Sequence, residues 1–157
     1  MTSAAQDTRA FIQRETAETR AVEALFAQRL QRAWKCELRK LGKTYSPDFL
    51  ATRNGKGVAW VELKCRFGQD WAQYPTYMVA VKKWEKCLAL AETPNISLPW
   101  LLAVAVDNGD YWVNARDLQG VDLQVSMGGR TDRNWAEDQE PCVFIPKKYF
   151  RKLPDGI

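Results

Sequence analysis

Two carboxylates and an amine stand on either side of a turn in this chain. Asp48 lies in Ser46-Pro47-Asp48-Phe49, Glu62 and Lys64 lie in Glu62-Leu63-Lys64, and Asn54-Gly55 falls between them. Phosphodiester hydrolysis asks for groups of these kinds. A water must be made nucleophilic, charge on the phosphoryl oxygens must be stabilised, and the leaving oxygen must depart. Mg²⁺ serves such chemistry, keeps several waters and needs only one or two protein carboxylates. Asp48 and Glu62 supply two, and the backbone carbonyl of Leu63 offers a third ligand. Lys64 then stands beside the attacking water. There it orients the water, stabilises the pentacovalent charge or, with a depressed pKa, takes a proton. The bland alternative is a solvated hairpin whose Glu62 and Lys64 form a surface pair contributing on the order of 0–1 kcal/mol.

The elements that must position these groups are legible in outline. Residues 8–41 read as one long helix or two in tandem, with Val22, Leu25, Phe26, Leu30 and Ala33/Trp34 on one face and Gly42 as its C-cap. A hairpin follows, with strands at 49–53 and 58–65 around the turn Asn54-Gly55-Lys56-Gly57. Alternation puts Val58, Trp60, Glu62 and Lys64 on one face and Ala59, Val61, Leu63 and Cys65 on the other, which should meet the core. Register decides where Asp48 points. A plain two-residue loop sends it to the face away from Glu62, so the catalytic reading requires an odd loop or a bulge. Downstream, 67–75 reads as irregular, 77–81 as a strand, 82–92 as a helix closed by Pro94 and Pro99, and 100–106 as a buried strand. The turn at 107–110 makes a second hairpin with 111–113, 126–141 reads as a polar loop, 142–145 as a strand and 146–153 as a last helical turn or two. Such an order suits a mixed central sheet flanked by helices.

Pro47-Asp48 … Glu62-Leu63-Lys64, with the glutamate fourteen positions after the aspartate, resembles the active-site motif of the PD-(D/E)xK nuclease superfamily. That superfamily includes restriction endonucleases, Holliday-junction resolvases and phage-encoded endonucleases. Both acids and the proline are in place, and the element order from about Val22 to Val106 matches the family core, roughly half the chain. The resemblance implies an α/β, restriction-endonuclease-like fold and Mg²⁺-dependent hydrolysis of DNA with Mn²⁺ as substitute. It also implies products with 5′-phosphate and 3′-hydroxyl ends, and often a homodimer. Family members often carry one more acid on the first helix. Glu23 fits that place, with Glu18 as its competitor.

Composition narrows the field. A length of 157 residues suits one nuclease domain spanning 1–157, with 1–20 as an extension that frays or packs on a partner. The chain has no histidine, which rules out catalytic triads and zinc hydrolases that need an imidazole. Cys36, Cys65, Cys87 and Cys142 are too scattered for a zinc ribbon and read as free thiols. No apolar run reaches bilayer length and no signal-peptide core is present, so the expected location is the cytoplasm, of a bacterium or a phage-infected host cell. A net charge of +4 permits a polyanionic partner without demanding one.

Several further residues have two readings. Lys82, Lys83 and Lys86 open the second helix and could grip phosphates or simply be solvated; Arg53 and Lys56 at the hairpin tip could touch a duplex backbone. Gly128-Gly129-Arg130-Thr131-Asp132-Arg133 reads as a surface loop or a DNA-contacting one. Trp84 and Trp100 read as core, Trp71 and Trp135 could stack on bases, and Asp107, Asp110 and Asp132 read as turn residues. The leading expectation is an endonuclease that is structure-selective or weakly sequence-specific. Its rival is a nucleic-acid-binding or assembly protein that keeps the fold without the chemistry.

Overall fold

A computed structural model of the chain describes residues 18, 20–42, 47–68, 70–94, 97–129 and 139–154. Helix α1 (20–34) buries Phe26, Ala27, Leu30 and Trp34, a stripe at helical spacing. Leu25, expected on that stripe, is turned to solvent. Trp34 and Phe26 are accommodated because the strands beneath them carry small residues. Ala51, Ala59, Ala103 and Ala105 are fully buried in the same cluster, so large rings on the helix fill the space small residues leave on the sheet.

The expected helix over 8–41 is cut short at Trp34, and its residues 8–17 lie outside the described part. Lys35 takes a left-handed backbone (φ 52°), and the Cys36 N–H returns to the Gln31 carbonyl at 3.2 Å, a helix-ending motif that needs no glycine. Arg53 seals this end, its guanidinium donating to the carbonyls of Trp34 at 2.6 Å and Lys35 at 3.2 Å. Gly42 is therefore not the cap. Between the two lies strand β1 (Glu37–Lys40), whose helix-forming composition is overridden by antiparallel pairing with β2 (Phe49–Arg53).

Strand β3 (Lys56–Arg66) pairs antiparallel with β2 and parallel with β5 (Trp100–Val106), which continues through β6 (Gly109–Asn114) to β9 (Arg151–Lys152). These strands form a six-stranded mixed sheet in the order β1-β2-β3-β5-β6-β9. The parallel pair requires a crossover, made by β4 (Thr76–Ala80) and helix α2 (Val81–Glu92). Strand β4 does not join the main sheet as a third meander strand. It pairs with β8 (Gln139–Pro146), which pairs with β7 (Gln124–Gly129), forming a separate three-stranded sheet. The expected polar loop at 126–141 is thus strand at 126–129 and 139–141, while 130–138 lies outside the described residues. The expected helical turn near 146–153 is a short 3₁₀ turn, Lys147–Tyr149, followed by β9.

The main sheet is covered on both faces. α1 lies over Ala59, Val61 and Leu63. On the opposite face α2 sets Trp84 edge-on against Trp100, with centroids 5.2 Å apart, over a core of Leu102, Val104 and Val113. The result is a mixed α/β fold with a central sheet between two helices, as the sequence order suggests. Cys87 and Cys142 are buried, and Cys36 and Cys65 are half-buried. Among the described residues no helix is long and apolar enough to cross a membrane.

The cap on α1 makes a prediction. Arg53→Ala leaves two helix-end carbonyls without their donor and should lower stability by about 1 kcal/mol, discounted from the value of a charged hydrogen bond because the group is partly exposed. Urea denaturation measures this. An unchanged midpoint would mean the cap contributes nothing.

Candidate active site

The β2–β3 hairpin turns on Asn54 (φ 53°) and Gly55 (φ 77°), with Arg53 facing Lys56 across two residues. Such a turn suits the twist of a hairpin. A bulge follows: Thr52 faces Gly57 but Ala51 faces Ala59, leaving Val58 as the extra residue. The one-residue shift then carries Leu50 opposite Trp60 and Phe49 opposite Val61, so Asp48 arrives beside Glu62. The irregularity the catalytic reading requires is present as a bulge rather than as an odd loop.

Asp48 lies immediately before β2, where backbone pairing with β3 has stopped. Its Oδ2 replaces that pairing, accepting from the Leu63 N–H at 3.0 Å. A strand residue points its N–H and C=O to the same side, so the Leu63 carbonyl faces the same edge as Asp48. Glu62 faces away from α1. It is only 1% exposed, flanked by Leu102 of β5.

A buried carboxylate needs compensation. Two ammonium groups approach its Oε1: Lys64 at 3.5 Å along the same strand face, and Lys83 closer, from the first turn of α2. Its Oε2 is buried and has no hydrogen-bond partner among the described residues. Burial, and next the charge of Lys83, push Lys64 below the ordinary lysine value, against the opposing pull of Glu62. Burial also works against the charge of Lys83, but its hydrogen bond to Glu62 and the charge of that carboxylate outweigh it and hold Lys83 above the ordinary value.

Glu23 sits on α1 one turn before Phe26 and Ala27, half-buried. Burial first, and then the negative charge of Asp48, raise its pKa, with a smaller push from Glu62 and opposing pulls from Lys40 and Lys64. The expected helix acid thus lies within electrostatic reach of both motif carboxylates, while Glu18 is exposed. Among the described residues no three His, Cys, Asp or Glu side chains form a ready-made metal cluster. The donor set is smaller: Asp48, Glu62 and a backbone carbonyl. A buried carboxylate oxygen without a partner fits a hard divalent cation, which needs few protein oxygens.

A cleft of about 430 Å³ opens onto the Glu62–Lys64 side of this site, with Asp48 not among its lining residues. It lies between β3, the β4–α2 corner and the edge of the smaller sheet, and it is lined by Lys64, Arg66, Lys82, Lys83 and Lys86 against Glu62 and Glu140. Among the other candidate contacts, Lys82 pairs with Glu140 at 3.6 Å. Lys56 is exposed at the hairpin tip, six residues and so roughly 20 Å along the strand from Glu62. Arg53 is engaged in capping α1. Trp71 is packed against Tyr111, with nearly parallel rings at 4.2 Å, and is not an open stacking platform. Asp107 does hold a turn, accepting from the Gly68 N–H at 3.0 Å, whereas Asp110 pairs with Arg29 at 2.6 Å. Trp135, Asp132 and the loop 130–133 lie outside the described residues.

Sequence reading missed Lys83 as the principal partner of Glu62 and Arg66 as a wall of the cleft. A lysine at a helix start carries no signal for a buried partner 21 positions earlier. Arg66 had a usable one, since it continues the Glu62–Lys64 face of β3.

The family model described as "Phage putative PDDEXK endonuclease" matches residues 10–153. None of the curated proteins matches the chain in sequence. Among solved structures, that of Archaeoglobus fulgidus Hjc, a Holliday junction resolvase from an archaeal hyperthermophile, has a similar fold. It has a TM-score of 0.50 at 13% identity, covering 81% of this chain and 89% of that one. The family match runs through both helices and the whole hairpin, and the chain belongs to this phage PDDEXK endonuclease family.

Proposed function

We propose that the protein is a Mg²⁺-dependent DNA endonuclease whose site is Asp48, Glu62, the Leu63 carbonyl and Lys64, with Glu23 as an accessory acid. The observation that carries this reading is the Glu62 carboxylate: buried, one oxygen unpartnered, beside an aspartate brought to it by a bulge. A bound Mg²⁺, or Mn²⁺ in its place, would supply Lewis acidity to the phosphoryl oxygens and make water a better nucleophile.

The chain's own groups do the rest. Asp48 and Glu62 would hold the cation, and the Asp48–Leu63 hydrogen bond fixes the aspartate relative to β3. Lys64, held on the same strand face as Glu62, orients the attacking water and stabilises charge on the phosphoryl oxygens. Lys83 neutralises Glu62 in the absence of a cation. Arg66, Lys82 and Lys86 line the approach and attract backbone phosphates, contacts that carry no base information. That pattern favours structure-selective or weakly sequence-specific cutting over strict sequence readout, with 5′-phosphate and 3′-hydroxyl products. A homodimer would offer two such clefts to a branched substrate. The bacterial or phage-infected cytoplasm supplies both DNA and Mg²⁺.

Incubation with supercoiled plasmid and with a four-way junction tests the activity. Cutting is expected with Mg²⁺ and not with EDTA. Asp48→Ala and Lys64→Ala should each lower the rate by at least about 10²-fold while the proteins stay folded. Cleavage persisting in both variants would refute the site. Binding of the junction without cutting would favour the rival, non-catalytic reading.

Two stability predictions follow from the same charges. Lys83→Met removes the closer counter-charge from a buried carboxylate and should cost about 1–2 kcal/mol by urea denaturation in EDTA, reduced from the fully buried value because Lys83 is partly exposed. An unchanged midpoint would mean Lys64 suffices alone. Glu23→Gln acts in the opposite direction. A carboxyl whose folded-state pKa is raised destabilises the fold as pH rises through that pKa. The variant should therefore be more stable than wild type at neutral pH, and the gain should vanish below pH 4.5. Thermal melts across pH in EDTA measure the difference, and a variant less stable at pH 7 would contradict it.

A further inference from the structure

Among the polar groups of the cleft for which the proposed mechanism has no use, one hydroxyl stands out. Tyr77 stands on β4 with its ring turned inward beside Val79, into the core behind β3 and β5. Trp71 stacks near it at 6.4 Å and Phe150 meets it edge-on at 6.0 Å, so the ring is held from two sides. The hydroxyl oxygen is buried and has no hydrogen-bond partner among the described residues. Folded proteins rarely leave such a group unmatched.

What the hydroxyl lacks is specific. Tyr77 lines the same cleft as Lys64, Arg66 and Lys83. Lysine and arginine donate hydrogen bonds and accept none, and the two carboxylates of the cleft, Glu62 and Glu140, are engaged by Lys83 and Lys82. Burial raises the Tyr77 pKa, which keeps that proton in place at neutral pH. A hydroxyl proton without an acceptor is matched by an anion with lone pairs to spare, and the lysines and arginine of the cleft attract one.

We propose that the Tyr77 hydroxyl is a phosphate-binding group, donating a hydrogen bond to a non-bridging oxygen of the nucleic-acid backbone that Lys64 and Arg66 draw into the cleft. This rests on reading the cleft as a nucleic-acid site. It adds a contact from the β4 wall, opposite the motif strand, that the motif itself does not contain.

Tyr77→Phe removes the hydroxyl and keeps the ring. Binding of a fluorescent branched DNA oligonucleotide is measured in EDTA at low salt, beside melting temperature and Mg²⁺-dependent cutting, with Tyr74→Phe, exposed on the surface, as control. The variant should melt no lower than wild type, because an unmatched hydroxyl stabilises nothing, and bind at least about 10-fold more weakly, the worth of one hydrogen bond to a charged group. Unchanged affinity would overturn the proposal. A clear drop in melting temperature would also overturn it, by showing that the hydroxyl serves the fold. The two readings fail separately. A wild type that never cuts, with a variant that still binds weakly, removes the nuclease reading and leaves this one. A wild type that cuts, with a variant that binds and cuts equally, does the reverse.

Discussion

A carboxylate with 1% exposure in the middle of a sheet is the constraint around which this molecule is arranged. Left alone, a buried charge would cost several kcal/mol. The fold meets that cost with two lysines, one from the same strand and one from the start of α2. To bring the second within reach, the chain must leave β3, build β4 and begin α2 directly at its end. The crossover that the parallel β3–β5 pair requires thus also delivers the counter-charge. Replacing Glu62 with an apolar residue would be the simpler way to fill the site. An acid kept at such expense has a task on the reading proposed above, where it would help hold a divalent cation.

The aspartate is positioned by different means. Nothing in the turn itself would bring Asp48 to Glu62, because a regular two-residue hairpin alternates the two onto opposite faces. Val58 bulges out, the pairing shifts by one residue, and the aspartate takes over where backbone pairing ends, with its side chain on the Leu63 N–H. The same hairpin also holds α1, since Arg53 at its tip caps the helix. Glu23 is thereby fixed near the motif acids.

Much of this was legible in the sequence where periodicity and chemistry agree. The Glu62–Lys64 face, the buried run at 100–106 and the α2 helix all carry strong local patterns, and the fold order follows from them. Local pattern failed where tertiary contacts decide. Glu37–Lys40 is made of residues that favour helices and becomes a strand because β2 offers an edge. Residues 126–129 and 139–141, glycine-bearing and polar, become strands because β7 and β8 pair with each other. Leu25 is apolar by sequence yet lies off the buried stripe of α1. In the site, the acids were visible because their identity is their signal. Lys83 was visible only as a phosphate contact and Tyr77 not at all, since the role of each depends on a neighbour in another element.

The central claim is that Asp48 and Glu62 hold one divalent ion between them. Anomalous diffraction from crystals soaked in Mn²⁺ tests it most directly. The account predicts a single strong peak within bonding distance of both carboxylates and of the Leu63 carbonyl. No peak there, or a cation held elsewhere while Lys83 stays on Glu62, would contradict it.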